Sequence, residues 1–279
     1  MALVSWTGTA AAAACRMARA SPSSGTGGLV TWLMRRQLML DEQHAIAGLT
    51  NRWLALIADR VMCGFPGAFG ALPGVRHVGN PVRPEILALP LPAERMANRS
   101  GRLRVLVVGG SLGAEIFNKT VPQAIRTLSA AQRPEIWHQT GRGQRDATER
   151  AYEKSAVTTI VAEFIDDMAA AYGWADVVIC RAGAMTIAEL CAAGVAAILV
   201  PYPSAVDDHQ TANARFPAER DAAILVAQPD FSAAYLAETL QSLASNRALL
   251  LKMANNARAC AVPDATETVA RLCMEVSHA

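Results

Sequence analysis

The sequence predicts an α/β protein whose larger part is a doubly wound parallel sheet, and three observations predict it. From Arg102 onward, short runs rich in β-branched and aliphatic residues alternate with longer helical patterns, the order that βαβ crossovers produce. The first such run, "VLVVGGSLGAEIFNK" (Val105 to Lys119), ends in glycines and resumes as a helix; a junction of that kind offers backbone N–H groups and a positive dipole end to an anion. Finally, 52% of the residues are hydrophobic and only 18% are charged, enough apolar side chain to bury a core, and 279 residues are long enough for two domains.

The elements follow in order. Strands are expected at Leu103–Gly109, Glu135–Gln139, Thr158–Ala162, Asp176–Cys180, Ala196–Val200 and Ala222–Val226. Helices are expected near Ala114–Ala130, Gly143–Lys154, Ile165–Tyr172, Ala184–Ala193 and Asp207–Ala218, then Phe231–Leu243 and Arg247–Ala259. A last helix begins after Pro263, where Pro-Asp caps "ATETVARLCMEV". Upstream, "LVTWLM" reads as a short helix, "QLML" as a strand, "AGLTNRWLALIAD" as a helix and "RVMCGF" as a strand. "VGNPVRPEI" is punctuated by proline and reads as a linker. The front piece is too small for an independent doubly wound domain.

Composition excludes several classes. A net charge of +2 gives no global steering toward nucleic acid. No apolar run reaches the roughly 18–20 residues of a membrane span. The six cysteines are scattered with no C-x-x-C pair, which favours reduced, buried thiols in a cytosolic protein over a disulfide framework. The opening "MALVSWTGTAAAAACRMARASPSS" has no basic residues ahead of its apolar stretch and is read as an irregular start rather than a targeting peptide.

In a doubly wound sheet, ligands sit on the loops at the carboxyl ends of strands. Gly109-Gly110-Ser111-Leu112-Gly113 is one such loop; it is neither a Walker loop nor a good dinucleotide fingerprint, and alone it is a weak phosphate signal. "VVICRAGAMTIAEL" is stronger, since a helix starting at Ala184 leaves the N–H groups of Ala184, Met185 and Thr186 for phosphate oxygens. Glu189 lies about one turn further, where a carboxylate can accept from two ribose hydroxyls; the bland alternative is a solvated helix carboxylate. In "PYPSAVDDHQTANA", Gln210 and Asn213 share a helix face and are suited to sugar hydroxyls. Asp207, Asp208 and His209 suggest a metal in isolation, but no other cluster has ligand spacing and none is expected.

Taken in order, "EQHAIAGLTNRWLA", "VGNPVR", "VLVVGGSLGA", "WHQTG", "FIDDMAAAYGWADVVICRAGAMTIAEL" and "DDHQTANA" closely resemble the MurG family of peptidoglycan glycosyltransferases, from about Ser24 to the C-terminus. The resemblance implies the GT-B fold, two doubly wound domains facing across a cleft. It implies inverting transfer of N-acetylglucosamine from UDP-N-acetylglucosamine to undecaprenyl-pyrophosphoryl-muramoyl-pentapeptide, converting lipid I to lipid II, at the cytoplasmic face of the inner membrane without a metal or other cofactor. Carried onto this chain, it places Ser111 and Arg83 toward the donor and Ile165 at the uracil through its backbone. Ala184, Met185 and Thr186 fall at the diphosphate, Glu189 at the ribose, and Gln210 and Asn213 at the amino sugar.

The resemblance also implies a division: residues 1–23 irregular and unrelated, 24–80 a partial acceptor-side domain, 81–262 a complete UDP-sugar-binding domain, and 263–279 a helix packing back on the front part. The family's first Gly-rich loop, GGTGGH, has no counterpart here, so no catalytic base can be carried over and an N-terminally truncated member is expected. "SGTGG" matches the family's second loop, placing Ser24, Gly25 and Gly27 on the acceptor side with Glu42, Gln43 and His44. His44 stands where the family has Asn and is either an improvised base or a plain packed histidine. "WLMRR", Trp32 to Arg36, is a candidate membrane contact. The chain is therefore expected to be either an active transferase or a non-catalytic UDP-sugar-binding remnant.

Overall fold

The structure, a computed structural model, describes residues 15–19, 32–34, 37–110, 113–153, 155, 157–203 and 208–277. The chain divides into two compact units, residues 1–81 with 262–279, and residues 82–261.

The larger unit opens with α2 (Pro84–Leu87) and α3 (Pro92–Met96) and then alternates β5 (Arg104–Val108), α4 (Glu115–Thr127), β6 (Glu135–Gln139), α5 (Arg145–Glu153) and β7 (Thr159–Ala162). It continues through α6 (Met168–Trp174), β8 (Val177–Cys180), α7 (Ala184–Ala193), β9 (Ala196–Leu199), α8 (His209–Ala218) and β10 (Ala223–Leu225), and closes with α9 (Ala233–Ser245) and α10 (Arg247–Ala259). The six strands lie in the order β10-β9-β8-β5-β6-β7, every pairing parallel. Numbered within the unit, this is 6-5-4-1-2-3, the doubly wound order whose switch point lies between its first and fourth strands. That point is β5 beside β8, so the crevice opens where Gly109 and Arg181 leave the sheet.

The strands that read as unbroken apolar runs do so because both faces are covered: Val105, Leu106, Val107, Val177, Val178 and Ile179 are all fully buried. Helix α6 starts three residues later than the sequence suggests because Asp167 caps it, accepting from the Ala170 N–H at 2.8 Å. Asp176 anchors the unit's base, accepting from Arg99, Arg247 and the Arg104 N–H.

The smaller unit carries β1 (Cys15–Arg19), β2 (Gln37–Glu42), α1 (Leu49–Ala55), β3 (Arg60–Cys63), β4 (Val75–His77) and α11 (Ala265–Ser277). Its strands form a parallel sheet in the order β1-β2-β3-β4. Val269 and Leu272 of α11 pack on Met39, Met62 and Val78. Gly79, at φ +75°, lets the chain pass Val262, whose Cβ would lie 2.5 Å from any Cβ added there.

Two expectations are corrected here. The segment read as irregular through residue 23 contains β1, paired with β2 from Cys15 opposite Gln37 to Arg19 opposite Asp41; its two arginines hid the strand pattern. β4 was also missed, being three residues long with Arg76 and His77 exposed at the end of the sheet. Of the expected helix "LVTWLM", only Trp32, Leu33 and Met34 lie within the described residues, all exposed. Cys63, Cys180 and Cys191 are free and buried, and burial pushes the Cys63 and Cys180 thiols up to about 11 and about 12.

Candidate functional site

A cleft of about 760 Å³ opens in the larger unit at the switch point. Gly109, Gly110 and Gly113 form one wall, Arg181, Gly183 and Thr186 another, and Tyr202, Gln210 and Gln228 close the side. The glycines are there for close approach. A Cβ on Gly109 would fall 2.4 Å from the Ala114 nitrogen, and one on Gly113, at φ +73°, would fall 2.2 Å from the Thr140 carbonyl.

The Thr140 carbonyl is itself held from below. Asn118 Nδ2 donates to it at 3.1 Å, which turns the Asn118 carbonyl toward His138. His138 Nε2 therefore donates to Asn118 Oδ1 at 3.0 Å, and the Tyr152 hydroxyl donates to Nδ1 at 2.8 Å; this bonding assigns the tautomer. His138 is fully buried, and burial pulls its imidazole down to about 3, so it stays neutral.

Helix α7 enters the cleft with Gly183 as its N-cap, no side chain capping it and no acid in its first turn. Ala184, Met185 and Thr186 thus head a helix whose first N–H groups face the crevice. Its other end is closed. Gly194 takes the left-handed conformation at φ +61° and bonds back to Cys191 and Leu190. Arg95 donates to the Ala193 carbonyl at 2.9 Å and also to Gly194, while Arg258 donates to Ala192 and Leu87. Burial, and then the neighbouring Arg99 and Arg258 charges, lower Arg95 to about 10.

Glu189 is not the solvated carboxylate of the bland alternative. Its side chain is 16% exposed; Oε1 accepts from Arg83 Nη2 at 3.0 Å, and Oε2 from the Tyr172 hydroxyl at 3.1 Å. Tyr172 is almost wholly buried, and burial followed by the Glu189 charge holds its hydroxyl well above the usual tyrosine value, so it is a fixed donor.

Gln210 and Asn213 part company despite their spacing. Gln210 lines the cleft, with Oε1 accepting from the Tyr202 N–H at 2.9 Å and from the Ala182 N–H at 3.3 Å, which leaves its amide N–H donors for a ligand. Asn213 is fully buried, its Nδ2 donating to the Ala182 carbonyl at 3.0 Å. It holds the loop before α7 from beneath, a correction to its expected place among sugar contacts. Ile165 has a buried side chain, leaving its backbone as the part to consider. Among the described residues no group of three or more His, Cys, Asp or Glu is placed to hold a metal.

Sequence reasoning assigned no role to Tyr172, Tyr202, Gln228 or Arg181. The Arg181 guanidinium ties the loops together, donating to Val200, Pro201 and Gln228 and stacking 5.1 Å over the Phe117 ring and 5.4 Å over Tyr202. Its place beside Ala182-Gly183 was the available signal.

On the smaller unit, Glu42 is buried, with Oε1 accepting from the His44 N–H at 2.9 Å and sitting 3.0 Å from Nδ1, and Oε2 accepting from Asn51 Nδ2 at 2.7 Å. Burial raises this carboxyl, but the bonds from His44 and Asn51 outweigh it and hold it below its ordinary value. The Gln43 carbonyl accepts from Asn80. Ser24, Gly25, Gly27 and Ser111 lie outside the described residues.

The parallel doubly wound unit is the C-terminal Rossmann-like half of a GT-B fold. Residues 104–269 match the glycosyltransferase family 28 C-terminal domain. The chain belongs to the MurG family. It is 53% identical over 255 residues to the UDP-N-acetylglucosamine–N-acetylmuramyl-(pentapeptide) pyrophosphoryl-undecaprenol N-acetylglucosamine transferase of Marinobacter nauticus, covering 91% of this chain and 70% of the relative. The Ralstonia nicotianae transferase of the same name is 54% identical over 256 residues, covering 91% and 69%. The crystal structure of Acinetobacter baumannii MurG superposes with a TM-score of 0.86 at 38% identity, covering 94% of this chain and 73% of that one. The chain thus spans about 70% of the length of these relatives.

Proposed function

We propose that the chain binds UDP-N-acetylglucosamine in the cleft of its larger unit and transfers the sugar, with inversion, to undecaprenyl-pyrophosphoryl-muramoyl-pentapeptide. The observation that carries the reading is the uncapped first turn of α7 at the switch point, with Glu189 along the same helix. The amides of Ala184, Met185 and Thr186 take the diphosphate, Glu189 takes the ribose, and the Ile165 backbone takes the uracil. The Gln210 amide reads the sugar, with Asn213 holding the loop beneath it. Arg83, paired with Glu189, and Ser111 complete the donor side. As the glycosidic bond to the diphosphate breaks, negative charge grows on the leaving oxygens, where fixed N–H dipoles stabilise it more than in the ground state.

On the acceptor side, Ser24, Gly25, Gly27, Glu42, Gln43 and His44 meet the lipid-linked sugar, and His44, oriented by the Glu42 carboxylate, is the candidate base for the attacking hydroxyl. The enzyme works at the cytoplasmic face of the membrane. In support, Leu49 and Trp53 of α1 and Leu56 at its C-cap are between 64% and 72% exposed with Arg52 beside them, a surface suited to an anionic interface. No described helix is long and apolar enough to cross a membrane.

A second reading, donor binding without transfer, is favoured by one observation: the proposed donor residues, from Arg83 to Asn213, all lie within the single compact unit of residues 82–261. A paired measurement separates the two. UDP-N-acetylglucosamine binding by calorimetry and transfer to a soluble lipid I analogue are both expected, and both are expected to be lost in Glu189→Ala. Binding without transfer selects the second reading; binding indifferent to Glu189→Ala refutes the donor site.

A further inference from the structure

We propose that Tyr172, at the buried end of α6, is a positioning residue that fixes the Glu189 carboxylate for the nucleotide ribose, and so sets the preference for ribose over 2′-deoxyribose. The inference rests on the donor site described above and adds to it a residue to which no role had been given.

The geometry points to it in three ways. First, the two oxygens of Glu189 are differently held: Oε2 accepts from Tyr172, which is 1% exposed and cannot move without repacking α6, whereas Oε1 accepts from Arg83, whose side chain is 49% exposed. A ribose diol approaching from solvent can displace or share the arginine but not the tyrosine. Second, a carboxylate has about four lone-pair positions, so one Tyr172 hydrogen bond leaves acceptors for both ribose hydroxyls while removing the rotation that would blur them. Third, Tyr172 and Ile165 flank the Asp167 cap of α6, so one helix start ties the backbone expected at the base to the side chain that aims the ribose acceptor. An acceptor held in this way rewards a ligand carrying both hydroxyls and gains little from one that lacks the 2′ hydroxyl.

The test is calorimetric titration of the full chain with UDP and with 2′-deoxy-UDP, on the wild type, Tyr172→Phe, Glu189→Asp and Glu189→Ala. The wild type is expected to prefer UDP. In Tyr172→Phe, UDP affinity is expected to fall about tenfold, the scale of one hydrogen bond to a charged acceptor, with 2′-deoxy-UDP affinity changing less than about twofold, so that the preference collapses. Glu189→Asp keeps the charge but withdraws the carboxylate from Tyr172 as well as from the ribose; its preference is expected to collapse too, and a preference it retains counts against the proposal. A preference retained in either variant, or equal losses for the two nucleotides, overturns the role of Tyr172. If Glu189→Ala binds UDP like the wild type, the donor site itself is wrong; if it loses UDP while Tyr172→Phe retains the preference, only the present inference falls.

Discussion

Acidification should loosen the larger unit through a single buried histidine. His138 is fully buried and neutral, with its imidazole pulled down by burial from 6.5 to about 3. In the unfolded chain it takes up a proton near pH 6.5. Above that pH neither state is protonated and the unit has its full stability; between pH 6.5 and about 3 only the unfolded state gains a proton, so stability falls with pH at about 1.4 kcal/mol per unit. From pH 8 to pH 5 the drop is about 2 kcal/mol, set mainly by the unfolded value because pH 5 is far above the folded one. Urea unfolding followed by tryptophan fluorescence at pH 8, 6.5 and 5, on wild type and His138→Gln, isolates the contribution. The glutamine variant should start lower, having lost part of the network to Asn118 and Tyr152, but it should lose about 2 kcal/mol less than the wild type on going to pH 5. Parallel pH dependences in the two proteins would refute the reasoning, since they would mean that His138 titrates alike in the folded and unfolded chains.

Two glycines of the loop after β5 should respond differently to alanine. Gly110, at φ +83° with nothing within 4 Å of an added Cβ, should lose only about 1 kcal/mol to the left-handed backbone, whereas Gly113→Ala also meets the Thr140 carbonyl and should lose about 2–3 kcal/mol, read by thermal melting, with weaker UDP binding. Arg258→Ala leaves the Ala192 and Leu87 carbonyls without that partner; a destabilisation of about 2 kcal/mol is expected, visible as a lower melting temperature with UDP binding retained. Trp53→Glu should leave melting unchanged, the side chain being 72% exposed, yet reduce co-sedimentation with anionic lipid vesicles; unchanged sedimentation would remove α1 from the membrane contact.

The larger unit was legible because its strands are covered on both faces and its helices carry clear punctuation. α7 runs from Ala184 to Ala193 as its glycines suggest. The edges were less legible. β1 and β4 announce themselves neither by an apolar run nor by alternation, since short edge strands need little hydrophobic pattern. At the candidate site the sequence marks the junctions where strands give way to helices, as at Gly109 and Gly183, but not the side chains that meet across the fold. The spacing of Gln210 and Asn213 correctly puts both on the side of α8 facing the Ala182 loop, yet spacing does not say which lies beneath the loop and which beside it. Nothing local could pair Glu189 with Arg83, 106 residues away, or reveal that a tyrosine one helix earlier supplies its second hydrogen bond.

The two arginines seated on the rear of α7 have a consequence for what the front of that helix can do. A dipole whose tail is pinned by guanidinium groups from α3 and α10 has little freedom to tilt or slide when an anion arrives. In the proposed donor site its amides therefore need not reorganise as charge flows onto the departing nucleotide, and the penalty that water would exact for turning its own dipoles is avoided. Whatever flexibility turnover demands must then reside in other segments, and substitutions that unpin the rear of the helix should slow chemistry before they weaken ground-state binding.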